Sequence, residues 1–233
     1  LKFTNQQDLC IMPLNLGDTF PNFTKPSSDG EITFYDYVGD SWCLFCSHPD
    51  DFTPVCTTEL GLLTKIMPEF EKRNVKVCAL SCNTPESHKA WIPDVQKVAG
   101  TEGAFPYPIV ADTDRELAVQ LGMLDPVEKD KAGSPMTCRA VFIISPDKKL
   151  KLSILYPAST GRNFDEVLRV IDSLQLTAYK KVATPVNWKH GDECMVVPSV
   201  KTEDIPGLFP KGHRIEEVPS GKGYLRFTPD PSA

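Results

Sequence analysis

The stretch Ser47-His48-Pro49-Asp50-Asp51-Phe52-Thr53-Pro54-Val55-Cys56-Thr57-Thr58-Glu59-Leu60 decides how this chain of 233 residues is read. Immediately before it runs Trp42-Cys43-Leu44-Phe45-Cys46, an apolar run that predicts a buried strand. After it Leu60, Leu62, Leu63, Ile66, Met67 and Phe70 recur at helical spacing, which predicts a helix continuing to about Asn74. The stretch is therefore a strand-to-helix connection, and it delivers one thiol, Cys56, to the beginning of a helix.

That placement has a chemical consequence. The free N–H groups of a first helical turn stabilise an anion, and a cysteine so placed can have its pKa drawn from about 8.5 into a range of roughly 3.5 to 7.5. Cys56 is thus expected to be a nucleophile at neutral pH. Pro54 suits the opening of the helix because it has no N–H to leave unpaired and its φ is already helical. Thr53 is placed to orient its hydroxyl toward whatever the sulfur attacks, and Pro49 supplies a stiff apolar wall.

Outward from this connection, the chain alternates strands and helices. Residues 1–20 carry no strong periodicity, and Leu14 to Pro21 reads as a lead-in strand or loop. Pro26 to Gly30 is a turn cluster, and Glu31 to Asp36 alternates polar and apolar, predicting a short half-buried strand. Val75 to Cys82 is a second buried strand, and Asn83-Thr84-Pro85-Glu86 opens a helix that runs to Ala99. Tyr107 to Ala111 reads as a strand, Arg115 to Leu121 as a short helix, and Asp125 to Pro135 as a polar loop. Thr137 to Ser145 and Lys149 to Tyr156 form a hairpin across Pro146-Asp147-Lys148, followed by a helix from Asn163 to Thr177. This order predicts an α/β sandwich around a mixed sheet. Beyond Lys180 the character changes, with Pro185, Pro198, Pro206, Pro210, Pro219, Pro229 and Pro231 in succession. A small C-terminal domain over residues 181–233 is expected after a main domain over 1–180.

Composition narrows the classes. Hydrophobic residues make up 41% of the chain, an ordinary globular share, and a formal charge of −6 leaves no electrostatic footprint for nucleic acid. No run approaches the roughly 18 apolar residues of a membrane helix. The opening residues Leu1 to Gln7 lack the apolar core of a secretory signal, so the cytoplasm is the expected compartment. Eight cysteines are too sparse for a disulfide framework, and buried free thiols are the expectation for all but Cys56.

An arginine is the natural partner for a thiolate that attacks an O–O bond, because a planar, permanently charged guanidinium neutralises the departing oxygen. Arg139, at the start of the strand around Pro135 to Phe142, is either that group or an edge arginine covering apolar surface.

The spacing Pro49-x-x-x-Thr53-x-x-Cys56 resembles the active-site motif of the peroxiredoxins, and Ser47 to Leu60 as a whole is similar to the one-cysteine (type 6) branch. The resemblance covers Leu16 to Pro229 and implies a thioredoxin-like fold with helices on both faces of a mixed sheet, plus the C-terminal domain. It implies a thiol peroxidase that needs no cofactor or metal and reduces hydrogen peroxide and organic hydroperoxides through a sulfenic acid on Cys56. It places Arg139 beside the peroxidatic cysteine and makes Arg162 the second active-site arginine, with Glu59, one turn beyond Cys56, as their brace. His48, next to Pro49, is read from its position as either a supporting residue of the pocket or a structural histidine. It also implies a homodimer assisted by the C-terminal domain. In two-cysteine relatives a resolving cysteine opens a Cys-Pro-x-x-Trp-Lys segment; here Thr184 fills that slot in Thr184-Pro185-Val186-Asn187-Trp188-Lys189. The expected reductant is therefore an external thiol such as glutathione.

Other readings compete. Trp42-Cys43-Leu44-Phe45-Cys46 mimics the Trp-Cys-x-x-Cys of thiol–disulfide oxidoreductases, but residues i and i+3 of a strand point to opposite faces. Cys78 and Cys82 would stand roughly 13 Å apart on one strand face, too far for one zinc ion. One-cysteine relatives are credited with a phospholipase serine in Gly-Asp-Ser-Trp-Gly. Here Gly39-Asp40-Ser41-Trp42-Cys43 lacks the last glycine and Tyr35 stands where the histidine belongs, although Asp147 is kept, so weak or absent lipase activity is expected. A peroxide-sensing or holdase protein, with the site intact and turnover negligible, is the non-enzymatic alternative.

Overall fold

Every residue of Trp42–Ser47 is buried, and in the computed structural model, which describes residues 14–233, this segment is the interior strand of a seven-stranded mixed sheet. A strand with both faces covered needs an unbroken apolar run, which Trp42-Cys43-Leu44-Phe45-Cys46 supplies. The chain divides between Arg162 and Asn163 into two units, the break falling ahead of the last long helix. No helix among the described residues is long and apolar enough to cross a membrane. The first 13 residues, expected to be unpatterned and without the apolar core of a secretory signal, lie outside the described residues.

The first unit runs β1 (Thr24–Ser27), β2 (Gly30–Thr33), α1 (Phe34–Val38), β3 (Trp42–Ser47), α2 (Pro54–Lys65), α3 (Met67–Glu71), β4 (Val75–Ser81), α4 (Pro85–Ala99), β5 (Ile109–Ala111), α5 (Glu116–Gln120), β6 (Leu124–Lys129), β7 (Pro135–Thr137), β8 (Arg139–Ile144) and β9 (Leu150–Tyr156). Sheet order is β2-β1-β5-β4-β3-β8-β9. β3 is parallel to β4 and antiparallel to β8, with Phe45 opposite Cys78 on one side and Phe142 on the other. Cys43 and Phe45 drop into a core with Phe20, Phe34, Leu80, Val110, Phe142 and Ile144. The rings of Phe34 and Phe45 centre 5.1 and 5.2 Å from that of Phe20.

Three local expectations are corrected. The alternation expected to extend a strand to Asp36 ends at Thr33, and α1 takes over because Phe34 and Val38, one helical turn apart, are both buried. The helix expected to reach Asn74 breaks at Ile66, since Pro68 has no N–H to continue the ladder and instead opens α3. The polar loop expected over Asp125 to Pro135 contains a two-stranded ribbon, β6 against β7, pairing Leu124 with Thr137 and Lys129 with Pro135.

α2 and α4 approach closely at Gly61, where a Cβ would meet Val98 Cγ1 at 2.9 Å. α4 opens on Thr84, whose hydroxyl accepts the Ser87 N–H, followed by Pro85.

The second unit contains α6 (Phe164–Tyr179), β10 (Val182–Ala183), β11 (Cys194–Val196), a 3₁₀ turn, α7 (Ile205–Leu208), β12 (Arg214–Ile215) and β13 (Arg226–Thr228). Asn163 caps α6 by accepting from the N–H groups of Asp165 and Glu166. A four-stranded sheet, order β10-β11-β13-β12, closes a small core of Leu176, Val182, Trp188, Cys194, Val196, Val200, Ile205 and Phe209. Thr184 shares a 2.6 Å hydrogen bond with Ser173.

Candidate active site

Thr53 is the N-cap of α2, Pro54 its first residue, and Cys56 lies on the first turn, ahead of the intrahelical ladder that begins with Thr57 N–H on Thr53 O. The connection between β3 and α2 turns tightly, with Phe52 in the left-handed region at φ 55°. Cys56 is fully buried.

Arg139 begins β8, the strand beside β3, so it faces the helix that β3 feeds. Its Nη1 donates to Cys56 Sγ at 3.3 Å and to Glu59 Oε2 at 2.7 Å, while Nε and Nη2 donate to the Ala158 carbonyl at 2.9 and 2.6 Å. Arg162 completes the group: its backbone N–H and Nε donate to Glu59 Oε1 at 2.6 and 3.1 Å, and Nη2 to Oε2 at 2.8 Å. Its Nη1 donates to the carbonyls of Ser47 and Ala140, both at 2.9 Å. Burial alone would push the Glu59 carboxyl up; Arg162, with help from Arg139, outweighs it and holds the group below the ordinary carboxylate range. Two guanidinium groups against one carboxylate leave a surplus positive charge in a buried cluster, the complement of an anionic sulfur.

Pro49, Thr53, Pro54, Val55, Met136, Arg139 and Ala158 line a cavity of about 310 Å³ that opens beside this group. The Thr53 hydroxyl donates to the Asp50 carbonyl at 2.9 Å, which leaves its oxygen as an acceptor toward the cavity's contents.

His48 faces elsewhere. Its Nε2 lies 2.7 Å from Asp51 Oδ1, and its ring packs 5.0 Å from Trp91. Asp51 Oδ2 is also bonded by His88 Nδ1 at 2.8 Å and by the Ser87 hydroxyl at 2.7 Å. This buried group ties the loop before Cys56 to the first turn of α4, and sequence reading missed it. By type, His48, Asp51 and His88 could hold a metal ion, with ligand atoms within 4.8 Å of one another. However, the distal nitrogens, His48 Nδ1 and His88 Nε2, have no partner, whereas metal-bound imidazoles are held by one. The arrangement fits a hydrogen-bonded clamp better than a metal centre.

The residues behind the competing readings do not converge. Cys43 and Cys46 are buried in β3, and burial pushes both thiols up. Cys82 and Cys138 are likewise pushed up to about 11 by burial. Ser41 donates to Asn74 at 2.9 Å, Tyr35 to the Phe20 carbonyl at 2.6 Å, and Asp147 is held by Ser145, so each expected lipase residue has a different partner.

Comparison with known proteins agrees with this geometry. The AhpC/TSA family matches residues 16–153, and the C-terminal domain of 1-Cys peroxiredoxin matches residues 173–206. Peroxiredoxin-6 of Gallus gallus is 61% identical over 220 residues, 94% of this chain and 98% of that protein; Peroxiredoxin-6 of Homo sapiens is 59% identical over the same spans. The crystal structure of a cysteine-to-serine mutant of the Peroxiredoxin 6 of Arenicola marina superposes with a TM-score of 0.92 at 59% identity, covering 94% of this chain and all of that one. A yeast mitochondrial 1-Cys peroxiredoxin, solved in a study of thiol resolution through glutathione and thioredoxin systems, gives 0.84 at 44% identity, covering 93% and 99%. With a buried thiol at the head of α2 and a guanidinium on its sulfur, the chain belongs to the AhpC/TSA family, in its one-cysteine peroxiredoxin-6 branch, and is a thiol peroxidase with a thioredoxin-like fold.

Proposed function

We propose that the chain reduces hydrogen peroxide and organic hydroperoxides with Cys56 as nucleophile and an external thiol as reductant. The observation that carries this reading is the 3.3 Å approach of Arg139 Nη1 to Cys56 Sγ, with Glu59 fixing the same nitrogen at 2.7 Å. The Cys56 thiolate attacks the terminal peroxide oxygen and forms an S–O bond as the O–O bond breaks. Arg139 and the loop N–H groups of Val55 and Cys56 receive the charge on the departing oxygen, which takes up a proton and leaves as water or an alcohol. Thr53 accepts from the peroxide's own O–H, Pro49 walls the cavity, Arg162 and Glu59 hold Arg139, and His48 acts through the loop.

Glutathione is the reductant we favour, because Thr184 stands where a resolving cysteine would be and a one-cysteine relative from yeast is tied by its description to glutathione and thioredoxin systems. No second lipase activity is proposed, since Ser41, Tyr35 and Asp147 are engaged separately. A homodimer through residues 181–233 is supported by the exposed apolar side chains of Val186 and Tyr224, and a cytoplasmic site by the free thiols.

The test is steady-state peroxide consumption with dithiothreitol for wild type and Cys56→Ser, with mass spectrometry locating the oxidised sulfur. Loss of turnover in the variant and a single oxygen on Cys56 are expected. Turnover that survives Cys56→Ser, or that depends on Cys43, would transfer the chemistry to another thiol. Hydrolysis of a phospholipid that disappears in Ser41→Ala would overturn the exclusion of lipase activity.

A further inference from the structure

We infer that Lys129 and Lys131, on the ribbon of β6 and β7, make the mouth of the Cys56 cavity selective for thiol reductants that carry carboxylates. This rests on the reading of the chain as a peroxidase resolved by an external thiol, and it names that thiol's chemical class.

Both lysines line the cavity that holds Pro49, Thr53 and Arg139. Both are exposed, and neither makes an ion pair among the described residues. The acidic residues at the same mouth are Asp50 and Asp130. Asp130 is compensated, since Arg115 Nη2 holds its Oδ2 at 2.7 Å. Arg139 is likewise paired, with the Glu59 carboxylate that it shares with Arg162. That leaves two lysines against Asp50, a local positive surplus on a chain whose formal charge is −6.

The ribbon holds these charges in place. Asp130 Oδ1 accepts the N–H groups of Ala132 and Ser134 at 2.9 and 2.8 Å, and Arg115 Nε reaches the Pro135 carbonyl at 2.9 Å, so the turn carrying Lys131 is pinned from both ends.

Hydrogen peroxide is neutral and gains nothing from such a rim. A thiol with free carboxylates does, because fixed charges at a cleft raise the encounter rate of an oppositely charged ligand in a salt-dependent way. Cys56 is fully buried, and the cavity lined by its neighbour Val55 and by Arg139, whose Nη1 donates to its sulfur, is the approach this inference gives the reductant. At the sulfenic acid the thiolate sulfur donates its electron pair to Cys56 Sγ. An S–S bond forms, the S–O bond breaks, and the hydroxide leaves as water with the proton of the incoming thiol. A second thiol molecule then attacks the mixed disulfide, takes the first into a symmetrical disulfide, and returns Cys56 as thiolate.

The experiment oxidises Cys56 with one equivalent of hydrogen peroxide and follows reduction of the sulfenic acid by glutathione and by glutathione diethyl ester, each rate corrected for thiolate fraction. Wild type should prefer glutathione by about tenfold at low salt, the lower end of electrostatic steering, and lose the preference in about 0.5 M salt. In Lys129→Gln/Lys131→Gln the preference should vanish, while the ester rate and the oxidation rate by peroxide stay at wild-type values. An unchanged preference in the variant, or equal loss with both thiols, would overturn the inference. A wild-type Cys56 that takes no oxygen from peroxide would overturn the peroxidase reading beneath it, and this inference with it.

Discussion

Arg139 donates through one nitrogen, Nη1, to both Cys56 Sγ at 3.3 Å and Glu59 Oε2 at 2.7 Å, so the guanidinium that faces the sulfur is fixed by a carboxylate one helical turn further along α2. Its other nitrogens are anchored on the Ala158 carbonyl. A lysine keeps the charge but cannot span all three partners. Arg139→Ala should lower kcat/KM for hydrogen peroxide by about 10²–10³-fold, the usual effect of removing a preorganised donor, and Arg139→Lys by about tenfold or more. Stopped-flow competition for peroxide measures both. Wild-type rates in the alanine variant would remove this residue from the reaction.

Glu59 accepts four hydrogen bonds from two arginines, and its side chain is only 4% exposed. Replacing it with glutamine keeps the shape but leaves two buried guanidinium groups without a counter-charge. Breaking a buried pair in this way costs about 3–5 kcal/mol. Glu59→Gln should therefore lower the urea midpoint markedly and slow peroxide reduction together. A variant that is slow but as stable as wild type would mean that the cluster serves catalysis without supporting the fold.

The helix that presents Cys56 rests on α4 through Gly61. Alanine there gains up to about 1 kcal/mol of helix propensity, but its Cβ would stand 2.9 Å from Val98 Cγ1. Gly61→Ala should be neutral or destabilising in the natural chain. In a Val98→Ala background, which removes Cγ1 but keeps a Cβ 3.3 Å from the new methyl, the same change should cost less than in the natural chain. Thermal midpoints of the four chains close the cycle, and equal effects in the two backgrounds would show that Val98 does not limit the approach.

How far the chain could be read follows from where its information is local. β3, α2 and the thiol at their junction are written in contiguous residues: an apolar run, Pro54, then helical spacing. α1 escaped because its five residues are too few to show a period, and the Ile32–Phe34 alternation fits a strand equally well. The β6–β7 ribbon escaped because its residues, Leu124 to Lys129 and Pro135 to Thr137, show no strand alternation, include Pro126 and Pro135, and are mostly part-exposed, so its pairing is a matter of backbone, not pattern. Arg139, Arg162 and Glu59 were each named, but four hydrogen bonds on one carboxylate join residues 80 and 103 positions apart, which spacing does not reveal. His88 was missed altogether. The signal was topological: β3 and β4 are adjacent and parallel, so the loops after them meet at one sheet edge, bringing Asp51 to the start of α4.

The meeting of His48, Asp51 and His88 makes stability depend on pH. Burial pushes the His48 imidazole below its ordinary value, more than its bond to Asp51 raises it. For Asp51, burial raises the carboxyl, but the hydrogen bonds from His48 and His88 outweigh it and hold it well below the carboxylate range. The two directions agree if His48 is neutral and donates its Nε2–H to an ionised Asp51. The nearby charges are those of Asp51, His88 and Arg162, and the last two also disfavour a proton on His48. Below about pH 6.5 the unfolded chain protonates His48 while the folded chain resists, so this contribution is complete above that pH and declines as acid is added. Asp51 acts in the same sense further down: its contribution holds above about pH 4 and is lost below it, where the unfolded carboxyl takes its proton first. Urea midpoints of wild type should therefore fall between about pH 7.5 and 5.5. His48→Asn should start lower and show a flatter slope across that interval, and Asp51→Asn should be destabilised at neutral pH. A wild-type midpoint that stays level across the same interval would mean that His48 titrates alike in both states, and the buried clamp would then have no part in the acid response.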